Sequence, residues 1–220
     1  VYNPLAMIRY QEYSALRYAA TGRVPAINDG VPRYFQQKEI IGVWLKEQAK
    51  TSAHILDIGA NWGEMGDGWL GIPGVGTVTA LDACLFACRA GHKAYPHERL
   101  RHVCGWAETL PIVDICADIV ILSGILEHVL EPQLLLDEAH RVIKPGGLVV
   151  VQVPFGGADS VQDEPGLSMS HNGHVHTIDP SWVLNGRKPY ALQYIRYTNN
   201  PAYPHAWFGE AGEFVIAYQV

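Results

Sequence analysis

His54-Ile55-Leu56-Asp57-Ile58-Gly59-Ala60-Asn61-Trp62-Gly63 reads as a buried strand running into a glycine turn. Ile55, Leu56 and Ile58 form the short apolar run of a parallel strand covered on both faces. Asp57 sits near its carboxyl end, and Gly59 and Gly63 allow a tight turn and close approach of a ligand. In an open α/β sheet, the carboxyl ends of the strands are where a nucleotide-like ligand binds. The spacing is Asp-x-Gly-x-x-x-Gly, and Asn61 stands where the dinucleotide fingerprint needs its second glycine for a pyrophosphate. A ligand without phosphate has no such requirement.

The strands that follow extend the pattern. Thr77–Asp82 is a second strand ending in an acid 25 positions after Asp57. A carboxylate there can accept from both hydroxyls of a ribose, which points to an adenosine-containing ligand, though an Asp in this place can also cap the next helix. Leu100–Cys104 is a third strand, leading into Gly105-Trp106-Ala107-Glu108-Thr109-Leu110-Pro111. Ala117–Ser123 is a fourth, followed by Gly124-Ile-Leu-Glu-His-Val129, and Leu148–Val153 is a fifth after the helix stop Lys144-Pro-Gly-Gly147. Between them, Pro132 opens a helix with Leu134, Leu135, Ala139, Val142 and Ile143 on its apolar side. Gln193–Tyr197 and Glu213–Gln219 are strands six and seven.

Asp57-Ile-Gly-Ala-Asn-Trp-Gly63, Gly105-x-Ala-Glu-x-Leu-Pro111, Leu126-Glu-His-Val129 and Arg141-Val-Ile-Lys-Pro-Gly-Gly147 resemble the motifs of class I S-adenosylmethionine-dependent methyltransferases. The resemblance covers about residues 50–220. It implies a Rossmann-like, doubly wound α/β sheet of seven strands, mostly parallel with an antiparallel last strand. It implies S-adenosylmethionine as cofactor, with Asp57 near the methionine end over the loop Gly59, Ala60, Asn61 and Gly63, and with Asp82 and Ala83 beside the ribose. Trp106, Ala107 and Glu108 would lie along the adenine, and Ser123 at the end of strand four. The chain departs from the family at Trp106, where an Asp normally reads the adenine amine, so Trp106 is expected to stack on or flank the ring. It departs again after Gly63, where Gly66, Gly68, Gly71, Gly74 and Gly76 predict a short or irregular helix.

Residues 1–50 read as an N-terminal helical lid or cap, and residues 51–220 as the cofactor-binding domain. A helix from about Pro32 to Ala49 carries Ile40, Ile41, Val43, Trp44 and Leu45 on its apolar side, and it would serve either as a lid or as a cover for the sheet.

Methyl transfer to a hydroxyl calls for a group that takes a proton, and an imidazole suits that task. His128, after strand four, and His174 and His176, in the long segment after strand five, are the candidates. His171-x-x-His174-x-His176 with Asp163, Glu164 or Asp179 could instead hold a divalent ion, a weaker reading that leaves the site without an assigned metal. Cys84, Cys88, Cys104 and Cys116 form no Cys-x-x-Cys pair and read as reduced thiols packed near the core of a cytoplasmic protein.

With 220 residues and 48% hydrophobic content, the chain can build one full core. The net charge of −6 and the lack of a Lys/Arg cluster disfavour nucleic acid and anionic membranes, and no apolar run is long enough to span a bilayer. The start Val1-Tyr-Asn-Pro-Leu5 lacks the pattern of a signal peptide. Neither the Asn/Asp-Pro-Pro-aromatic motif of adenine-methylating enzymes nor the paired-glutamate loop of protein arginine methyltransferases is present. The acceptor predicted is therefore a hydroxyl or amine of a small molecule, such as a sugar or glycan or a secondary metabolite. Two alternatives stand: a non-catalytic relative of the fold, and an NAD-dependent oxidoreductase. The sequence gives no oligomeric state.

Overall fold

The computed structural model describes residues 32–155, 176–196 and 212–220. Residues 1–31 of the expected helical lid lie outside the described residues, as do His174 and most of the segment between strands five and six. The elements run α1 (Pro32–Glu47), β1 (Ala53–Ile58), α2 (Glu64–Leu70), β2 (Val75–Asp82), α3 (Leu85–Ala94), β3 (Leu100–Cys104), β4 (Ala117–Ser123), α4 (Pro132–Val142), β5 (Ile143–Phe155), α5 (Pro180–Leu184), β6 (Ala191–Arg196) and β7 (Gly212–Gln219).

The seven strands form one sheet in the order β3-β2-β1-β4-β5-β7-β6. Strands β1 to β5 pair in parallel, and β7 is antiparallel to both β5 and β6. The order reverses between β1 and β4, so the crevice at their carboxyl ends is the topological switch point. β1, β4 and β5 are apolar on both faces because each face is covered. Ile55, Val78, Ile121 and Val150 pack with α1 and α2, while Leu56, Leu81, Val120 and Val149 pack with α4 and α5.

Several sequence expectations need correction. Val43 is 46% exposed, and Leu134 is 48% exposed; Leu136 takes the buried position on α4 instead. Lys144-Pro-Gly-Gly147 does end α4, but without a loop: Ile143 pairs with Ala117, so β5 begins there and runs for 13 residues. Cys84 and Cys88 are buried as expected, whereas Cys104 is exposed, and all four thiols are free.

α1 lies against the β5, β6 and β7 side of the sheet and buries Ile40, Ile41, Trp44 and Leu45. That packing makes it a cover for the sheet. α2 is a seven-residue helix whose N-cap, Gly63, is left-handed at φ 74° and offers no side-chain cap. α3 meets the glycine turn at Gly91, where an added Cβ would collide with the Trp62 carbonyl oxygen. Gly→Ala inside a helix is normally worth up to about 1 kcal/mol of added stability. Here Gly91→Ala is expected to lower the denaturation midpoint, because it pushes α3 away from the loop that α3 supports; a raised midpoint in a urea titration would show that the loop yields freely.

Candidate active site

The predicted cofactor residues converge on the carboxyl edge of β1, β2 and β4. The turn after β1 needs left-handed backbone at Gly59 (φ 78°), Asn61 (φ 52°) and Gly63 (φ 74°). Asn is the non-glycine residue that tolerates this region best, which explains how Asn61 occupies the position where the dinucleotide fingerprint has its second glycine. The two glycines are also required by packing within the chain. A Cβ on Gly59 would overlap Ile125 of the turn after β4, and one on Gly63 would overlap His102 of β3.

Asp82 is 2% exposed and holds this edge together. Its Oδ2 accepts from the Asn61 amide and its Oδ1 from the Cys84 amide, both at 2.8 Å. The helix-cap reading of Asp82 thus has a structural basis, since it anchors the start of α3. Ala83 and Cys84 continue the same turn, and the Asn61 Oδ1 is buried with no partner among the described residues.

Asp57 is 4% exposed and accepts from the Trp69 indole N–H at 3.2 Å. Burial, offset in part by that bond and reinforced by the charges of Glu64 and Asp82, pushes its carboxyl up to about 7. A buried acid at the opposite edge makes the contrast clear: Asp118 is met by Lys144 at 2.8 Å and by Lys50 at 3.1 Å, whereas no lysine or arginine among the described residues pairs with Asp57.

Along the adjoining edge, Trp106, Ala107 and Glu108 form the turn after β3, and Trp106 bridges to Thr109. Gly105 is fixed against the Pro111 ring. Ser123, at the end of β4, donates to Gln152 Oε1 at 3.2 Å and accepts from Gln37 Nε2 at 3.1 Å. His128 is exposed in the turn after β4. The His176 backbone N–H donates to Glu127 O at 3.2 Å, and its ring Nε2 lies 3.1 Å from Leu130 O. A carbonyl can only accept, so Nε2 carries the proton and Nδ1 is the basic nitrogen. The structure thus brings His128 and His176 to the same turn.

Sequence reading missed Gln37, Gln152 and Glu213, three buried polar side chains at this edge. Each had a visible signal. Gln37 lies three, four, seven and eight positions before Ile40, Ile41, Trp44 and Leu45, on the apolar stripe of α1. Gln152 interrupts an otherwise apolar strand, and Glu213 opens another.

Residues 56–151 match the profile of the family described as a methyltransferase domain. Over 134 residues, 57% of the chain, the sequence is 29% identical to a ubiquinone/menaquinone biosynthesis C-methyltransferase of Ruegeria sp., covering 53% of that protein. Over 83 residues, 38% of the chain, it is 36% identical to a malonyl–acyl-carrier-protein O-methyltransferase of Marinomonas sp., covering 31% of it. The chain spans about half the length, or less, of these curated relatives. A candidate sarcosine dimethylglycine methyltransferase from Galdieria sulphuraria superposes with a TM-score of 0.70 at 11% identity, covering 94% of this chain and 98% of that one, a likeness of fold. The matched stretch and the likeness of fold make the chain similar to class I S-adenosylmethionine-dependent methyltransferases, and the cofactor that this similarity implies is S-adenosylmethionine.

The residues fit that cofactor. A sulfonium and an ammonium suit an edge lined by Asp57 and Asp82, and within residues 57–66, 82–88, 104–109 and 123–131 there is no lysine or arginine to hold a phosphate. Asp57 yields a pH-dependent prediction. Its folded value of about 7 lies above the ordinary 3.8, so the stability tied to its protonated form is present below about pH 4 and lost as pH rises through 7. Asp57→Asn mimics the protonated form and keeps an acceptor for Trp69. It is expected to raise stability at pH 8 by about 2–4 kcal/mol and to have little effect at pH 4. Urea titrations at the two pH values check this; equal effects at both would show that Asp57 does not titrate in that range.

Proposed function

We propose that this chain is an S-adenosylmethionine-dependent methyltransferase acting on a hydroxyl or amine of a small molecule, with sugars, glycans and secondary metabolites among the acceptors that suit it. The observation that carries the reading is the edge itself: a left-handed Gly59–Gly63 turn tied to Asp82, beside a buried Asp57, with no lysine or arginine within residues 57–66, 82–88, 104–109 and 123–131. The names of the relatives span a carbon and an oxygen acceptor, so support for a hydroxyl or amine comes from the histidines at the rim. When bound, S-adenosylmethionine supplies a methyl group already activated by its positive sulfur. What the protein adds is alignment of the acceptor and, for a hydroxyl, removal of its proton.

Isothermal calorimetry tests the cofactor reading. S-Adenosylhomocysteine should bind and NAD should give no heat; binding of NAD alone would overturn the assignment and favour an oxidoreductase.

His176 is the better placed base, because Leu130 O fixes its tautomer with Nδ1 available, and His128 stands in the same turn. His174 belongs to the proposal from its sequence position alone. If an imidazole takes the acceptor's proton, His176→Ala should reduce kcat about 100-fold or more while leaving the affinity for S-adenosylhomocysteine unchanged. Unchanged kcat in the single alanine variants of His128, His174 and His176 would leave alignment as the main catalytic device.

A further inference from the structure

Gln37 is a fully buried amide on α1, seated in an interface otherwise made of Ile40, Ile41, Trp44 and Leu45. Its Nε2 donates to Ser123 Oγ at 3.1 Å, and that hydroxyl in turn donates to Gln152 Oε1 at 3.2 Å. This chain of bonds joins α1 to the ends of β4 and β5. It leaves one atom over: Gln37 Oε1 is buried and has no partner among the described residues. A buried amide oxygen without a donor is destabilising, a cost the chain would avoid with Leu or Met at this position. An acceptor held in place by two further side chains at the mouth of a ligand crevice is therefore suited to a donor that the ligand brings.

The fold indicates which part of the ligand reaches it. If Asp82, at the end of β2, takes the ribose, the rest of an extended cofactor crosses the turn after β1 and arrives at the end of β4. Neighbouring strands lie about 4.8 Å apart, so two steps span about 10 Å. Asp57, Asp82, Ser123 and Gln152 alternate onto the same side of the sheet as Ile55, Ala80, Ile121 and Val150, the side that α1 covers. The amino-acid end of the cofactor carries an ammonium, with three N–H donors and no acceptor.

We propose that Gln37 Oε1 accepts a hydrogen bond from this α-ammonium, so that α1 forms one wall of the cofactor site and Gln37 is its specificity-determining residue for the amino-acid end. This rests on the cofactor reading above. A hydrogen bond to a charged donor is worth roughly ten- to a hundredfold in affinity.

The test compares S-adenosylhomocysteine with 5′-methylthioadenosine, which keeps the adenosine and sulfur but lacks the amino acid, by calorimetry on wild-type protein and on Gln37→Met and Gln37→Glu. Gln37→Met should fold, since it fills the same space without a polar atom, and should bind S-adenosylhomocysteine about tenfold or more weakly, with affinity for 5′-methylthioadenosine unchanged. Gln37→Glu, which restores an acceptor and adds a charge, should bring the affinity for S-adenosylhomocysteine back to the wild-type level or above. If wild-type protein binds S-adenosylhomocysteine and Gln37→Met binds it equally well, or if both ligands weaken by the same factor, the role assigned to Gln37 is wrong. If Gln37→Met unfolds, the Gln37→Glu comparison decides: loss of S-adenosylhomocysteine binding in a folded Glu variant overturns the proposal. Binding of neither ligand by wild-type protein would instead remove the cofactor reading itself.

Discussion

The carboxylate of Asp82 ties two turns together. One oxygen takes the amide of Asn61, in the turn after β1, and the other takes the amide of Cys84, at the start of α3. Both turns run through backbone that would otherwise leave buried N–H groups without acceptors, and a side chain that satisfies two of them at once sets the turns at a fixed spacing. The left-handed residues Gly59, Asn61 and Gly63 are then held in one arrangement. Ile125 closes over Gly59, His102 lies under Gly63, and α3 presses against Trp62 through Gly91. The crevice at the switch point is built from this one anion and the parts it locates.

The distribution of buried charge separates the two ends of the sheet. At the amino end of β4, Asp118 is met by two lysines and by the His54 amide, an arrangement that neutralises it within the protein. At the carboxyl end, Asp57 is answered by a neutral indole, and its raised proton affinity records what that costs. The first pattern serves the fold. The second leaves an acid at this edge without a cationic partner among the described residues, an arrangement that suits a sulfonium better than a pyrophosphate.

Much of this was legible in the residues. β3 and β4 begin and end where the apolar runs do, the two strand-end acids stand where the motif puts them, and the glycine crowding after Gly63 gives the short α2 it implies. The misses have a common physical origin. Val43 and Leu134 belong to apolar stripes yet face solvent, because an apolar count does not say which side of a helix meets the sheet. Gln37 carried the right spacing for the core but the wrong chemistry, and its meaning depends on Ser123, 86 positions away. A buried polar group is explained by its partners, and pairings across that distance are created by the strand order, which local pattern does not specify.

The cofactor is expected to lie across the ends of β2, β1 and β4. Amide hydrogen exchange with and without S-adenosylhomocysteine reads this location directly. Added protection is expected in residues 59–63, 82–84 and 123–127, with β6 and the exposed face of α4 unchanged. Ligand-dependent protection confined to other parts of the sheet, with none in these three turns, would contradict it.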